Sequence, residues 1–128
     1  MTRILIDTNI YSLAMRGDED VVEVLRHTRH VGISAITIGE LFSGFRGGSR
    51  EQKNRQELNQ FLDSPRVAIY PVDENTGEHY SAILQQLKQQ GTPIPTNDIW
   101  IAAVAFQHGL PLYTRDEHFS NISGLLLR

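Results

Sequence analysis

The sequence RILID, residues 3–7, is the first of several short apolar runs that determine the fold. Its three consecutive aliphatic residues, Ile4–Ile6, have the length and composition of a buried strand. Similar runs follow at VGIS (31–34), VAIYPV (67–72) and LPLYT (110–114), and a last short one lies in LLL (125–127). The sequence therefore predicts four or five short buried strands.

Helical patterns lie between these runs, at residues 19–28, 37–45, 50–62, 74–90 and 98–108. The segment 37–45 places its apolar residues at i, i+3, i+4 and i+7, namely Ile38, Leu41, Phe42 and Phe45. Asp73 is a candidate N-cap, and Gly109 is a candidate helix end. Short apolar strands that alternate with helices indicate an α/β fold, in which helices cover both faces of a parallel sheet.

Length and composition predict one ordinary globular domain spanning residues 1–128. The hydrophobic fraction is 40% and the charged fraction is 21%. No apolar run approaches the roughly 20 residues that a membrane-spanning helix requires. The absence of cysteine excludes disulfides and thiolate metal sites, and it is compatible with a reducing cytoplasm.

Four acidic residues fall where this fold would bind a ligand. Asp7 ends the first strand, and Asp116 lies two residues beyond the fourth. Glu40 lies one turn into the helix after the second strand, and Asp98 opens the last helix. Ligands in parallel sheets bind at the carboxyl ends of the strands, so these side chains should share one edge. For Asp98 this depends on the loop GTPIPT (91–96) returning the chain to that edge.

Each acid also has a structural explanation that the sequence leaves open. Asp98 is an acceptable helix cap, and Asp7 could cap a helix that begins near Asn9. Glu40 lies on the opposite side of its helix from the apolar stripe, as a solvated residue would. Asp116 lies in a turn-like segment where aspartate is common.

Converging carboxylates repel each other unless a cation neutralises them. An all-oxygen ligand set without cysteine favours a hard ion, Mg²⁺ or Mn²⁺. The five histidines show no zinc-binding spacing, and His118 is either a proton-transfer or supporting group or an ordinary surface histidine. The net charge is −3, so the rest of the chain carries −3 + 4 = +1 once the four acids are set aside.

Four segments, LIDTN (5–9), ITIGEL (36–41), NDIWIAAVA (97–105) and YTRDEHF (113–119), resemble the four motifs of the PIN-domain ribonucleases. The resemblance is strongest to the VapC-type toxins of bacterial toxin–antitoxin pairs, and it spans nearly the whole chain. It implies a Rossmann-like three-layer α/β/α fold and Mg²⁺- or Mn²⁺-dependent cleavage of RNA. It also implies a homodimer and inhibition by a cognate VapB-type antitoxin. The composition, for its part, leads us to expect a cytoplasmic location without membrane attachment.

The resemblance also assigns roles to individual residues. The acidic quartet corresponds to Asp7, Glu40, Asp98 and Asp116. Three of these, Asp7, Asp98 and Asp116, are the expected metal ligands. The polar support positions correspond to Thr8, Asn9 and Thr114.

An acidic site repels RNA, so phosphate binding requires nearby cations. The segment FRGGSREQKNR (45–55) offers four candidates, Arg46, Arg50, Lys53 and Arg55, with only Glu51 opposing them. Arg115, next to Asp116, is a further candidate. An ordinary solvated helix would explain the 45–55 segment equally well.

Other classes fit the sequence less well. A phosphatase with an aspartyl nucleophile needs a second aspartate two residues after the first, where this chain has Asn9. A receiver-type phosphoacceptor needs a late lysine, and none follows Lys88. The alternative that remains is a non-catalytic PIN-like module that binds RNA or protein. Ile36 and Trp100 are apolar residues beyond what one core needs, which agrees with the expected homodimer.

Overall fold

Four strands form one parallel sheet in the computed structural model, which describes residues 2–128. They are β1 (Arg3–Ile6), β2 (His30–Ser34), β3 (Val67–Tyr70) and β4 (Leu112–Tyr113), in the order β3-β2-β1-β4. The predicted parallel sheet is confirmed. The run at 125–127 contributes only an isolated bridge between Leu127 and Leu112.

Six α-helices connect these strands: α1 (Thr8–Met15), α2 (Glu19–Arg26), α3 (Ala35–Arg46), α4 (Glu51–Leu62), α5 (Glu74–Gln90) and α6 (Thr96–His108). Asp73 caps α5 in a reciprocal capping box with Thr76, and Gly109 ends α6 in a left-handed conformation, as predicted. The turn predicted around Asp116 is followed by a 3₁₀ helix, Glu117–Asn121. Within residues 2–128, no helix is both long and apolar enough to cross a membrane.

The alternation of side chains along β1 separates two buried clusters, one on each face of the sheet. Ile4 and Ile6 belong to a cluster formed with residues of α1 to α4. Leu5 belongs to the other cluster, which contains the buried residues of α5 and α6. The sheet therefore lies between two helical layers, and the three-layer α/β/α architecture is confirmed.

Ile36 and Trp100, the two apolar residues that the core did not require in the sequence analysis, take part in this packing. Ile36 is partly buried against the cluster of α5 and α6. The Trp100 ring stacks on Tyr80, with ring centroids 4.0 Å apart and an interplanar angle of 22°. Both residues are thus partly buried within the fold, and the expected dimer draws little support from them.

The strand order positions the ligand-binding edge. The chain proceeds outward from β1 to β2 and β3, and then returns to the far side of β1 to form β4. The connections on the two sides of β1 lie on opposite faces, so a crevice opens at the carboxyl ends of β1 and β4. Asp7 follows β1, and Asp116 comes shortly after β4.

A close ring contact requires glycine at position 32 in the middle of β2. A Cβ atom there would lie 2.6 Å from Cε2 of Tyr70. The Tyr70 ring cannot move away easily, because its hydroxyl lies 2.6 Å from Nε2 of His30 and its ring centroid lies 4.6 Å from that of His108.

We expect Gly32→Ala to lower the free energy of unfolding by about 1–3 kcal/mol, the usual cost of overpacking a core. The matched control is Gly44→Ala in α3, where an added Cβ would meet no atom within 4 Å. The control should be neutral or stabilising by up to about 1 kcal/mol, because alanine favours a helix over glycine. Chemical denaturation of the three proteins measures the difference, and equal stabilities would contradict the contact.

Candidate metal centre

Asp7 is a buried carboxylate held by two hydrogen bonds. Its side chain is 4% exposed, its Oδ1 accepts from the Ile10 amide at 2.9 Å, and its Oδ2 accepts from the Thr114 hydroxyl at 2.5 Å. Burial raises the pKa of Asp7, whereas the hydrogen bonds from Thr114 and Ile10 lower it. Asp7 caps α1, and it also lies beside the other acids, since the charges of Asp116 and Glu40 raise its pKa too.

Glu40 is tied to two other elements and is not a freely solvated side chain. Its Oε1 accepts from the Thr8 hydroxyl at 2.5 Å, and its Oε2 accepts from the Asn97 amide at 3.3 Å. Thr8 begins α1 and Asn97 lies in the first turn of α6, so Glu40 connects both helical layers above the sheet edge.

Buried hydroxyls extend this arrangement beneath Glu40. The hydroxyl oxygens of Thr8 and Thr37 are 3.2 Å apart, and those of Ser34 and Thr37 are 3.4 Å apart. A hydroxyl has a single proton, so Thr8, which donates to Glu40, must accept from Thr37. Ser34 and Thr37 are both fully buried, and neither was identified from the sequence.

Thr114 connects Asp7 to the segment that carries Asp116. Its hydroxyl donates to Asp7 and accepts from the Asp116 amide at 2.9 Å. Asp116 in turn caps the 3₁₀ helix, since its Oδ1 accepts from the His118 amide at 2.9 Å. The support role expected for Thr114 therefore has a physical basis in the structure.

Asp98 differs from the other three acids, because its carboxylate receives no side-chain or backbone hydrogen bond from residues 2–128. It is the third residue of α6, whose N-cap is Pro95, so the alternative that Asp98 caps the helix is wrong. Burial is the main cause that raises the pKa of Asp98 to about 6. The charges of the other three acids, Asp116, Glu40 and Asp7, also raise it, while His118 lowers it.

The donor atoms fit one divalent cation. One ligand atom from each of Asp98, Asp116 and His118 lies within 4.8 Å of the other two. Asp7 and Glu40 are adjacent, but they lie outside this group. The sequence predicts only oxygen ligands, and the structure adds an imidazole. The 3₁₀ helix places the His118 side chain next to Asp116. The sequence predicts only a turn at this point, and a turn alone does not specify that contact.

Asn9 has a different environment from the other support residues. It is exposed and lines a groove of about 420 Å³ formed with Tyr11, Met15, Leu41 and Phe45. Asn97, which the sequence argument did not single out, instead contacts Glu40.

The basic residues predicted to contact RNA phosphates fall into two groups, those paired with an acid and those without such a partner. Arg115 forms two hydrogen bonds to Asp18, at 2.9 and 3.0 Å. Arg55 pairs with Glu51 at 3.0 Å and lies over the Phe42 ring. The remaining cations, Arg46, Arg50 and Lys53, are exposed and form no ion pair within the described part of the chain.

The chain matches the family model described as PIN domain over residues 4–125. It is 32% identical over 127 residues to ribonuclease VapC1 of Haemophilus influenzae (strain R2866), covering 94% of this chain and 92% of that protein. It is also similar to the DNA-bound VapBC structure from Salmonella typhimurium, with a TM-score of 0.90, 26% identity, and coverage of 100% and 98%. A toxin–antitoxin complex from Klebsiella pneumoniae gives a TM-score of 0.73 at 27% identity, covering 96% and 95%.

We expect Asp98→Asn to raise the melting temperature of the metal-free protein at pH 7.5 by roughly 3 °C. The pKa of Asp98 is about 6 in the folded protein, above its ordinary value of 3.8. The protonated carboxyl therefore contributes folding stability that is fully present below pH 3.8 and is lost as the pH rises through 6. The asparagine carries no charge at any of these pH values, so its advantage should shrink between pH 7.5 and 5.

Thermal melts in EDTA across this pH range measure the effect. Asp63→Asn is the control, because Asp63 follows α4 on the way into β3, at the opposite edge of the sheet. A rise in melting temperature for Asp98→Asn that does not change with pH would contradict the raised pKa of Asp98.

Proposed function

This chain belongs to the PIN domain family, and on that premise we propose that it is a divalent-metal-dependent endoribonuclease, the toxin of a toxin–antitoxin pair. We further propose that residues 1–128 act as one domain, since both buried clusters pack on a single sheet. The substrate class also supports a cytoplasmic location.

The observation that carries this proposal is that acids from separate elements meet at one sheet edge, where ligand atoms of Asp98 and Asp116 lie within 4.8 Å of each other. The charges of Asp116, Glu40 and Asp7 all raise the pKa of Asp98. A fold that needed these residues only for helix capping would gain nothing from bringing them together, because like charges destabilise one another. A site that binds a cation does gain, because the cation removes the repulsion.

The residues of the chain would perform distinct tasks in RNA cleavage. A bound Mg²⁺ or Mn²⁺ would supply charge neutralisation at the scissile phosphate and activate the attacking water. Asp98 and Asp116 offer oxygen ligands, and the neighbouring Asp7 is the third acid proposed to hold the ion. Glu40, held by Thr8 and Asn97, is in place to orient a water or accept its proton.

The exposed cations at the end of α3 and the start of α4 are the best candidates for phosphate contacts. Arg46, Arg50 and Lys53 have no acidic partner among residues 2–128, so their charges are available to RNA. Arg115 and Arg55 are already paired with Asp18 and Glu51, which makes them weaker candidates.

We propose that a VapB-type antitoxin inhibits this chain, by analogy with VapBC from Salmonella typhimurium. A basic antitoxin side chain would be attracted to the acidic edge, where an open cleft of about 550 Å³ is lined by Ile36, Gly39, Glu40, Ser43 and Asn97. A homodimer is part of the same proposal and rests on family resemblance.

We expect the purified protein to cut RNA in the presence of Mg²⁺ or Mn²⁺ and to stop in EDTA. Asp7→Asn and Asp98→Asn should each reduce the rate at least about 100-fold, because each removes a charge that the cation requires. Cleavage of a labelled structured RNA measures the rates.

Asp63→Asn is the control for this experiment and should keep full activity. Cleavage that persists in EDTA or in Asp7→Asn would contradict the mechanism. A protein that binds Mn²⁺ but cuts no RNA would favour the non-catalytic binding module.

We expect co-expression with a cognate VapB-type antitoxin to yield a stable, inactive complex. Removing a charge from the cleft with Glu40→Gln should weaken antitoxin binding about tenfold and reduce its dependence on salt, while Asp63→Asn should change neither. Light scattering and binding titrations at several salt concentrations measure both. A free chain that stays monomeric at tens of micromolar would contradict the dimer.

A further inference from the structure

We propose that His118 is a direct metal ligand, and that it makes the site prefer Mn²⁺ over Mg²⁺. This inference rests on the proposed metal-dependent function and adds to it, because it replaces an all-oxygen ligand set by one with an imidazole nitrogen. It concerns a residue of this chain outside the acidic quartet.

The spacing of the donor atoms supports direct coordination. Nδ1 of His118 lies 3.1 Å from Oδ1 of Asp116. Two ligands at right angles around an octahedral ion, each about 2.1 Å from it, are themselves about 3 Å apart. A carboxylate oxygen of Asp98 lies within 4.8 Å of a ligand atom of each of these two residues, which is close to the span of one coordination sphere.

The backbone fixes this arrangement before any ion arrives. The amide of His118 donates to Oδ1 of Asp116 at 2.9 Å, so the two residues are held together at the start of the 3₁₀ helix. The His118 side chain is 60% exposed and that of Asp116 is 28% exposed, so both can be reached from solvent.

The chemistry of the donor set then determines which ion is favoured. Mg²⁺ prefers oxygen ligands and releases its waters reluctantly. Mn²⁺ also takes carboxylates, but as a first-row transition ion it binds an imidazole nitrogen better than Mg²⁺ does, and more weakly than the later ions of that row. Two carboxylates and one imidazole at a common centre therefore give Mn²⁺ an additional favourable ligand that adds little for Mg²⁺.

The chain provides a matched control. His27 is 68% exposed, and its Nδ1 lies 3.3 Å from Oε1 of Glu23, so it forms the same kind of exposed pair with a carboxylate. His27 follows α2, and no acid of the site pairs with it in the described residues. His27→Ala thus removes an equivalent imidazole away from the candidate centre.

Two measurements on the full chain without RNA test the proposal. Electron spin echo envelope modulation of bound Mn²⁺ should show coupling to a ¹⁴N nucleus in the wild type and in His27→Ala. This coupling should be absent in His118→Ala. Calorimetric titration should show the Mn²⁺ dissociation constant rising at least about tenfold in His118→Ala, while that for Mg²⁺ changes less than about threefold.

The outcomes separate this inference from the proposed function. Bound Mn²⁺ without ¹⁴N coupling, in a protein that still cuts RNA, would overturn the histidine ligand and leave the ribonuclease intact. Equal weakening of Mn²⁺ and Mg²⁺ in His118→Ala would also overturn it, because that result indicates a role only in orienting Asp116. A wild type that binds neither ion would overturn the metal-dependent function itself.

Discussion

The carboxylate of Asp7 is buried, and the rest of the site depends on which protein groups donate hydrogen bonds to it. A buried charge is costly unless protein groups hydrogen-bond to it. One of its partners comes from α1, but the other is Thr114, which is available only because β4 pairs with β1. The same threonine binds the amide of Asp116. Satisfying Asp7 therefore also places Asp116, and the two acids meet at the crevice between these strands.

Asp98 has the opposite environment. Asp7, Glu40 and Asp116 each accept hydrogen bonds, whereas the Asp98 carboxylate receives none from residues 2–128. Partial burial and the neighbouring negative charges then act on its pKa with little to oppose them, since only His118 among these neighbours lowers it. The fold thus provides hydrogen bonds to three of the acids and none, within the described residues, to the fourth. Because a divalent ion restores the missing stabilisation, metal binding and folding stability should be linked.

The sequence predicted the layers of the fold and the edge at which Asp7 and Asp116 lie, because those features follow from the alternation of strands and helices. It did not predict that α6 begins at Thr96, because the N-cap residue, Pro95, has no side chain that can accept a capping hydrogen bond. Asp98, which has such a side chain, was the more plausible cap in the sequence. His118 was also undecided, since the direction of a histidine two residues after an aspartate depends on whether a 3₁₀ helix forms there. Local periodicity carries no information about that turn.

Arg115 shows why adjacency in sequence is a weak guide to electrostatic role. It follows Thr114 and precedes Asp116, so a contact with RNA phosphate was a reasonable expectation. In the structure its guanidinium binds both carboxylate oxygens of Asp18, a residue 97 positions earlier that caps α2. This bidentate pair anchors the segment that carries Asp116 to the helical layer on one face of the sheet. Arg115, although it is next to Asp116 in sequence, therefore helps to position that acid and is already paired with another carboxylate.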